Sequence, residues 1–236
     1  MGHAVEEAAR RRGHEIVAII DADNQQEFDS EAFASADVAI EFTTASQALE
    51  NMMKAWRHGL PIVSGTTGRE LAEKLSEIRP HASEKGYTLL HSSNFSIGVN
   101  LLFALNRYLA KLIGEYDYHA SIEETHHIHK LDHPSGTAIT LADQILNADP
   151  RYKSWKEVES DEKTDRSVLP IRCIREGENP GFHEISWNSE ADCIRLTHQA
   201  YNRSGFALGA VLGAEWLVKQ PRGRFYSIDD MFMFHS

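Results

Sequence analysis

The stretch 38–68, VAIEFTTASQALENMMKAWRHGLPIVSGTTG, decides the fold. It opens with a short apolar run, read as a strand over 38–42. A helical pattern follows over 45–58, and 61–64 returns to a strand run beyond His58-Gly59-Leu60. Thr44 with Gln47, and Thr67 with Glu70, have capping-box spacing, which marks a helix start after each strand. Strand, helix, strand with short turns is the βαβ unit of a parallel sheet wrapped by helices.

Working outward, the same grammar holds through the first part of the chain. Residues 4–12 read as helix, 15–20 as strand, 69–85 as helix and 87–91 as strand. After Asn94 it changes. A long amphipathic helix over 97–113 leads into 116–124, which alternates like a strand of an open sheet, and 134–146 reads as helix. Strands over 168–174, 182–187 and 193–197 then follow with no helix between them, which requires an antiparallel or mixed sheet. Residues 156–166 are charged and aperiodic and read as a solvated loop, and 206–219 returns to helix. The expected fold class is α/β: a Rossmann-like dinucleotide-binding domain over 1–93, joined again by a C-terminal helix within 204–236, plus an α+β domain over 94–203 with a mixed or antiparallel sheet.

Composition narrows the function classes. The 236 residues are 42% hydrophobic, enough to fill a core. Lys and Arg total 24 against 35 Asp and Glu, and the resulting net charge of −11 repels nucleic-acid backbones. The two cysteines, Cys173 and Cys193, make neither a disulfide framework nor a metal-binding spacing, which fits a reducing, cytoplasmic setting. No apolar run approaches the roughly 18 residues that span a bilayer, and the charged start lacks both a signal-peptide core and a myristoylation signal, so no membrane partner is expected.

Chemistry concentrates in residues 123–137, EETHHIHKLDHPSGT, where His126, His127, His129 and His133 fall within eight positions. Three readings are open. The histidines could bind a metal, although no HExxH accompanies them. The run could be a polar loop. It could also protonate an anionic substrate, with a histidine titrating near neutrality beside the fixed charge of Lys130. In that reading Pro134-Ser135-Gly136-Thr137 opens a helix whose free N–H groups suit a carboxylate. Asp21, following the 15–20 strand, stands where a carboxylate binds adenine-ribose hydroxyls, and competes with the reading of an exposed turn residue. No Lys or Arg occurs among 22–24, so NADH is expected over NADPH, with NADPH possible.

The run His126-His127-Ile128-His129-Lys130-Leu131-Asp132-His133-Pro134-Ser135-Gly136-Thr137-Ala138 closely resembles the signature of the 4-hydroxy-tetrahydrodipicolinate (dihydrodipicolinate) reductases of lysine and diaminopimelate biosynthesis. Further matches come in family order: Glu41-Phe42-Thr43, Gly65-Thr66-Thr67-Gly68, Ser93 to Asn100, and Leu196 to Ala200 followed by Arg203. The resemblance implies hydride transfer from NAD(P)H to a small cyclic dicarboxylate. It makes His126 the proton donor and Lys130 the cation that holds substrate and polarises the reacting bond. His127, Gly136 and Thr137 become substrate-carboxylate ligands. Phe42, Thr43, Gly65, Thr66, Thr67, Ser92, Ser93, Asn94, Phe95 and Arg203 become the coenzyme lining, with no metal. It also implies a homotetramer built through the second domain's sheet. A non-catalytic NAD-binding regulator, or a metal-dependent hydrolase using the 126–133 histidines, is the alternative.

Met1-Gly2 matches the last two positions of the family's glycine-rich turn, which places Gly2 beside the coenzyme diphosphate. A strand and turn of roughly ten to fifteen residues are then expected before Met1. Without them, 15–20 and 38–42 would flank an unfilled slot about 9–10 Å wide, twice the strand spacing.

Overall fold

The structure, a computed structural model, describes residues 1–159, 164–202 and 204–232. Two units pack internally: Met1–Ile97 together with the chain from Ser204 onward, and Gly98–Arg203.

The first unit begins with α1 (Gly2–Arg11), followed by a 3₁₀ segment, Ala22–Asp29, and the single turn α2 (Glu31–Ala34). Then β1 (Ala39–Glu41), α3 (Ala45–Arg57), β2 (Ile62–Ser64), α4 (Arg69–Ile78), α5 (Ala82–Lys85) and β3 (Leu89–His91) alternate. The second unit holds α6 (Ile97–Ile113), β4 (His119–His126), α7 (Gly136–Ala148), β5 (Ser154–Val158), β6 (Val168–Arg175), β7 (Phe182–Asn188) and β8 (Cys193–Gln199). The chain returns to the first unit as α8 (Ser204–Leu217), β9 (Phe225–Tyr226) and α9 (Ile228–Phe232).

The first sheet is wholly parallel, in the order β1-β2-β3-β9. Successive side chains of a strand point to opposite faces, and both faces are covered. Ile62 and Leu89 pack against Ala48, Met52, Leu71 and Leu75 of α3 and α4. Val63 and Leu90 pack against Val5 and Ala9 of α1 and Ala207, Ala210 and Ala214 of α8. The second sheet is mixed, in the order β5-β6-β4-β7-β8, with β5, β6 and β4 parallel and β7 and β8 antiparallel. One face carries Ile122, Ile171, Ile185 and Trp187 and packs with Ala138, Leu141 and Ile145 of α7.

Several sequence expectations are corrected. Residues 15–20 do not form a strand, and within the sheet β1 pairs with β2 alone. Their period-two pattern survives, with Ile16, Ala18 and Ile20 half-buried and Glu15, Val17 and Ile19 exposed. Among the described residues the segment has no ladder partner, and a strand exists only as a member of a pair. The helix expected over 69–85 breaks at a 3₁₀ turn, Arg79–His81, because Pro80 brings no N–H to an α-helix interior. Neither capping box forms. Thr44 Oγ1 meets Ser46 Oγ at 3.1 Å instead, and Gly68, not Thr67, is the N-cap of α4. The loop expected over 156–166 begins inside β5, a partly exposed edge strand whose charges suit its place at the border of the sheet. Residues 160–163 of that expectation lie outside the described residues.

Candidate active site

The face of β4 that buries Ala120 and Ile122 continues, two residues at a time, to Glu124 and His126. Apolar packing gives way to polar groups there on three strands together. Register places Glu124 opposite His183 of β7, and His126 opposite Arg175 of β6. Glu124 is fully buried, and its Oε1 accepts hydrogen bonds from Ser135 N and Arg175 Nη2, each at 3.0 Å. Burial pushes the Glu124 carboxyl up, but the bonds from Ser135 and Arg175 outweigh it and hold it below its ordinary value. Burial lowers His126; Glu124 opposes this, and Lys130 and Arg175 add to it. His183 is pulled down to about 3, chiefly by burial, and is neutral at ordinary pH.

Ser135 caps α7, its hydroxyl accepting from Ala138 N at 3.2 Å. The N–H groups of Gly136 and Thr137 belong to the first turn, where no helix carbonyl serves them. Gly136 is exposed, so this turn offers donors to an anion. Lys130 Nζ donates to both oxygens of Asp132 at 2.8 Å, and Arg175 braces the same loop by donating to Lys130 O at 3.3 Å and Asp132 O at 2.7 Å. Half-buried His127 has an Nδ1 without a hydrogen-bond partner among the described residues. Thus His126, His127, Lys130, Gly136 and Thr137 gather around the C-terminal end of β4 and the start of α7. Nitrogens of His126 and His183 and a Glu124 oxygen come within 4.8 Å of one another. That spacing suits a cation, but the Arg175 guanidinium already bonded to the same carboxylate repels one, so this donor set does not favour a metal.

In the first unit, the expected coenzyme residues sit at the C-terminal ends of the parallel strands, where dinucleotide folds bind ligands. Phe42 and Thr43 follow β1, Gly65 to Thr67 follow β2, and Ser92 to Phe95 follow β3. Buried Glu41 ties two of these turns. Its Oε1 accepts from Thr43 N (2.7 Å), Thr43 Oγ1 (2.5 Å) and Thr66 Oγ1 (2.9 Å), and its Oε2 from Ser64 Oγ (2.5 Å). A Cβ on Gly65 would lie 2.0 Å from Phe42 Cε1, so only glycine lets that ring lie on the turn. Phe42 meets Phe95 edge to face at 5.9 Å. Ser92 Oγ closes its own turn on Asn94, while Thr67 and Ser93 are exposed. Gly2 starts α1, which has no side-chain cap, and nothing lies within 4 Å of a Cβ built on it. Asp21 is exposed and caps the 3₁₀ segment by accepting from Ala22 N at 2.7 Å. Arg203 lies outside the described residues.

Two family models cover nearly the whole chain: "Dihydrodipicolinate reductase, N-terminus" over residues 1–95 and "Dihydrodipicolinate reductase, C-terminus" over 98–232. The chain belongs to the dihydrodipicolinate reductase family. Among curated relatives, the 4-hydroxy-tetrahydrodipicolinate reductase of Christiangramia forsetii is 42% identical over 226 residues, 95% of this chain and 91% of that protein. The enzyme of the same name from Archaeoglobus fulgidus is 40% identical over 204 residues, 83% of this chain and 75% of that one. The fold resembles a dipicolinate-bound dihydrodipicolinate reductase from Paenisporosarcina sp. TG-14, with a TM-score of 0.74 at 22% identity over 96% of this chain and 92% of that one. It also resembles a putative myo-inositol dehydrogenase from Sinorhizobium meliloti, with a TM-score of 0.58 at 10% identity over 94% and 88% of the two chains.

For this reductase family member, motif reading missed Glu124, Arg175 and His183 as parts of one cluster with His126. The period of two along β4 already put Glu124 on the His126 side. Arg175 and His183 lie 49 and 57 positions beyond His126, and only strand pairing brings them in. Glu41, a carboxylate inside an apolar strand run, was legible as an oddity but not as the tie between two turns.

Proposed function

We propose that this chain reduces 4-hydroxy-tetrahydrodipicolinate to tetrahydrodipicolinate with NAD(P)H, in the diaminopimelate route to lysine. The observation that carries the reading is the meeting, at one end of β4, of a buried histidine, a lysine and the first-turn N–H groups of Gly136 and Thr137, which no helix carbonyl serves. Such a set fits a dicarboxylate that takes up a proton. Between the two compounds a hydroxyl is replaced by hydrogen. Hydride and one proton enter, and water and oxidised coenzyme leave.

NAD(P)H supplies the hydride when bound, and the turns after β1, β2 and β3 with the uncapped start of α1 fit a dinucleotide. The N–H groups of Gly136 and Thr137 hold one substrate carboxylate, with His127 beside it. Lys130 neutralises charge that builds on the substrate, an effect greater in the transition state than in the ground state. His126 gives up the proton. Burial weakens the hold of its imidazole on a proton, and a bound dicarboxylate favours the imidazolium, so substrate binding promotes proton loading.

The finer readings follow from chemistry. Asp21 accepts from a ribose diol and repels a 2′-phosphate, which favours NADH. The exposed outer strand β8 suits a homotetramer through the second sheet, and the cysteine usage suits the cytoplasm. Among the described residues no helix is long and apolar enough to cross a membrane. The test is coenzyme oxidation followed with freshly generated hydroxy-tetrahydrodipicolinate: substrate-dependent loss of NADH absorbance is expected, and its absence with both coenzymes would overturn the reading.

A further inference from the structure

Glu124 carries more connections than a core carboxylate needs. Its Oε1 is occupied by Ser135 N and Arg175, while Oε2 has no hydrogen-bond partner within bonding distance among the described residues and faces two imidazoles, His126 Nδ1 at 3.5 Å and His183 Nε2 at 3.7 Å, with the Cys173 thiol of β6 also beside the carboxylate. His126 Nδ1 is also buried without a partner. Two such atoms cost free energy unless they bond to each other, and hydrogen bonds of this kind tighten when a site is loaded. The opposite edge of the ring borders Gly181, where a Cβ would stand 3.3 Å from His126 Nε2, so glycine keeps that nitrogen reachable.

We infer that Glu124 is a positioning residue that serves the proton donor and the carboxylate-binding turn together: Oε2 orients His126 through Nδ1, leaving Nε2 to carry the transferable proton, and Oε1 holds Ser135 at the start of α7. Through Arg175 the same carboxylate reaches the main chain of Lys130 and Asp132, so one buried group sets the relative place of proton donor, cation and anion-binding turn. His183 closes the far side. Its Nε2 lies 3.3 Å from Ser135 Oγ, and its ring meets that of His126 edge to face at 5.1 Å. The charged and titratable groups facing His126 are Glu124 on its own strand, Lys130 and Asp132 on the following loop, Arg175 on β6 and His183 on β7. Glu124 and Asp132 favour the imidazolium, and the two cations oppose it.

This deepens the reductase reading and rests on it. The experiment pairs the pH dependence of kcat with ¹⁵N NMR of the His126 ring in the wild type, Glu124→Gln and Glu124→Asp. In the wild type the neutral ring is expected to hold its proton on Nδ1. Glu124→Gln should lose about tenfold or more in kcat, a part of the 10²–10⁴ that a general acid supplies. Its basic limb should move to lower pH, because the carboxylate that favoured the imidazolium is gone. Glu124→Asp should recover part of both. A wild-type Nε2–H tautomer overturns the inference even if the glutamine variant fails to fold. A uniform loss with an unmoved limb reduces Glu124 to packing and also overturns it. So does a divalent metal retained by the wild type and released by Glu124→Gln. A wild type inactive on the substrate sinks the reductase reading instead, while the tautomer measurement still decides the role of Glu124.

Discussion

Lys130 reaches the site already paired with Asp132, whose carboxyl is held below its ordinary value chiefly by the lysine's hydrogen bond. A dicarboxylate bound at Lys130, as proposed, would share or displace a carboxylate that is in place. Lys130→Ala is expected to lower kcat/KM by about 100-fold or more, in line with the roughly 2.7–4 kcal/mol lost with a charge-stabilising donor. His126→Ala should fall by a similar or somewhat smaller factor. Steady-state rates close to wild type for both variants would remove these residues from the mechanism. At Asp21 the expectation concerns the coenzyme: kcat/KM should be higher with NADH than with NADPH, and Asp21→Asn should narrow the ratio by relieving repulsion of the 2′-phosphate. Equal efficiencies in the wild type would place the phosphate-selecting group elsewhere.

At the scale of elements, α8 approaches the turn after β3 closely, backbone to backbone. A Cβ on Gly209 would stand 1.7 Å from the carbonyl oxygen of Phe95, a main-chain atom that cannot swing aside as a side-chain end can. Gly209→Ala is expected to destabilise the first unit by about 1–3 kcal/mol, the usual cost of overpacking. Calorimetry should register this as a fall of about 2–4 °C in Tm for each kcal/mol. An unchanged transition would mean that α8 slides freely on the turn. Elements also mark where local sequence is a poor guide. β5 tolerates charge because it is an edge strand, and 15–20 alternates like a strand yet has no ladder partner among the described residues. Neither property is visible within a window of eight residues.

For the molecule as a whole, the buried cluster around Glu124 makes stability depend on pH. His183 binds a proton near 6.5 when unfolded but only near 3 when folded. Between those values the unfolded chain holds the extra proton, so stability falls as pH drops below about 6.5, at up to about 1.4 kcal/mol per pH unit from this one group. Glu124 acts in the same direction, since a carboxyl lowered by folding contributes stability that is lost as pH falls through its folded value. Chemical denaturation at pH 7 and pH 5 should show a marked loss for the wild type and a smaller one for His183→Gln. Equal losses would exclude His183 as the source. Assembly is tested at the same scale: light scattering should return about four times the 26.6 kDa chain mass if the exposed strand β8 and its sheet build the homotetramer.

Much of this was decided by local order along the chain. The α/β alternation of 38–91 is legible because a parallel sheet buried on both faces needs short apolar strands separated by amphipathic helices. The helix Ile97–Ile113 is legible in the sequence because its apolar residues recur with helical period over nearly five turns. The candidate site run 126–137 is legible because its members are close in sequence as well as in space. Tertiary structure alone decided which distant strands became neighbours. β9 enters the first sheet from 134 positions beyond β3, and β6 and β7 bring Arg175 and His183 to Glu124. Strand order is set by which apolar faces can be buried together, a property of the whole chain, so no single segment announces it.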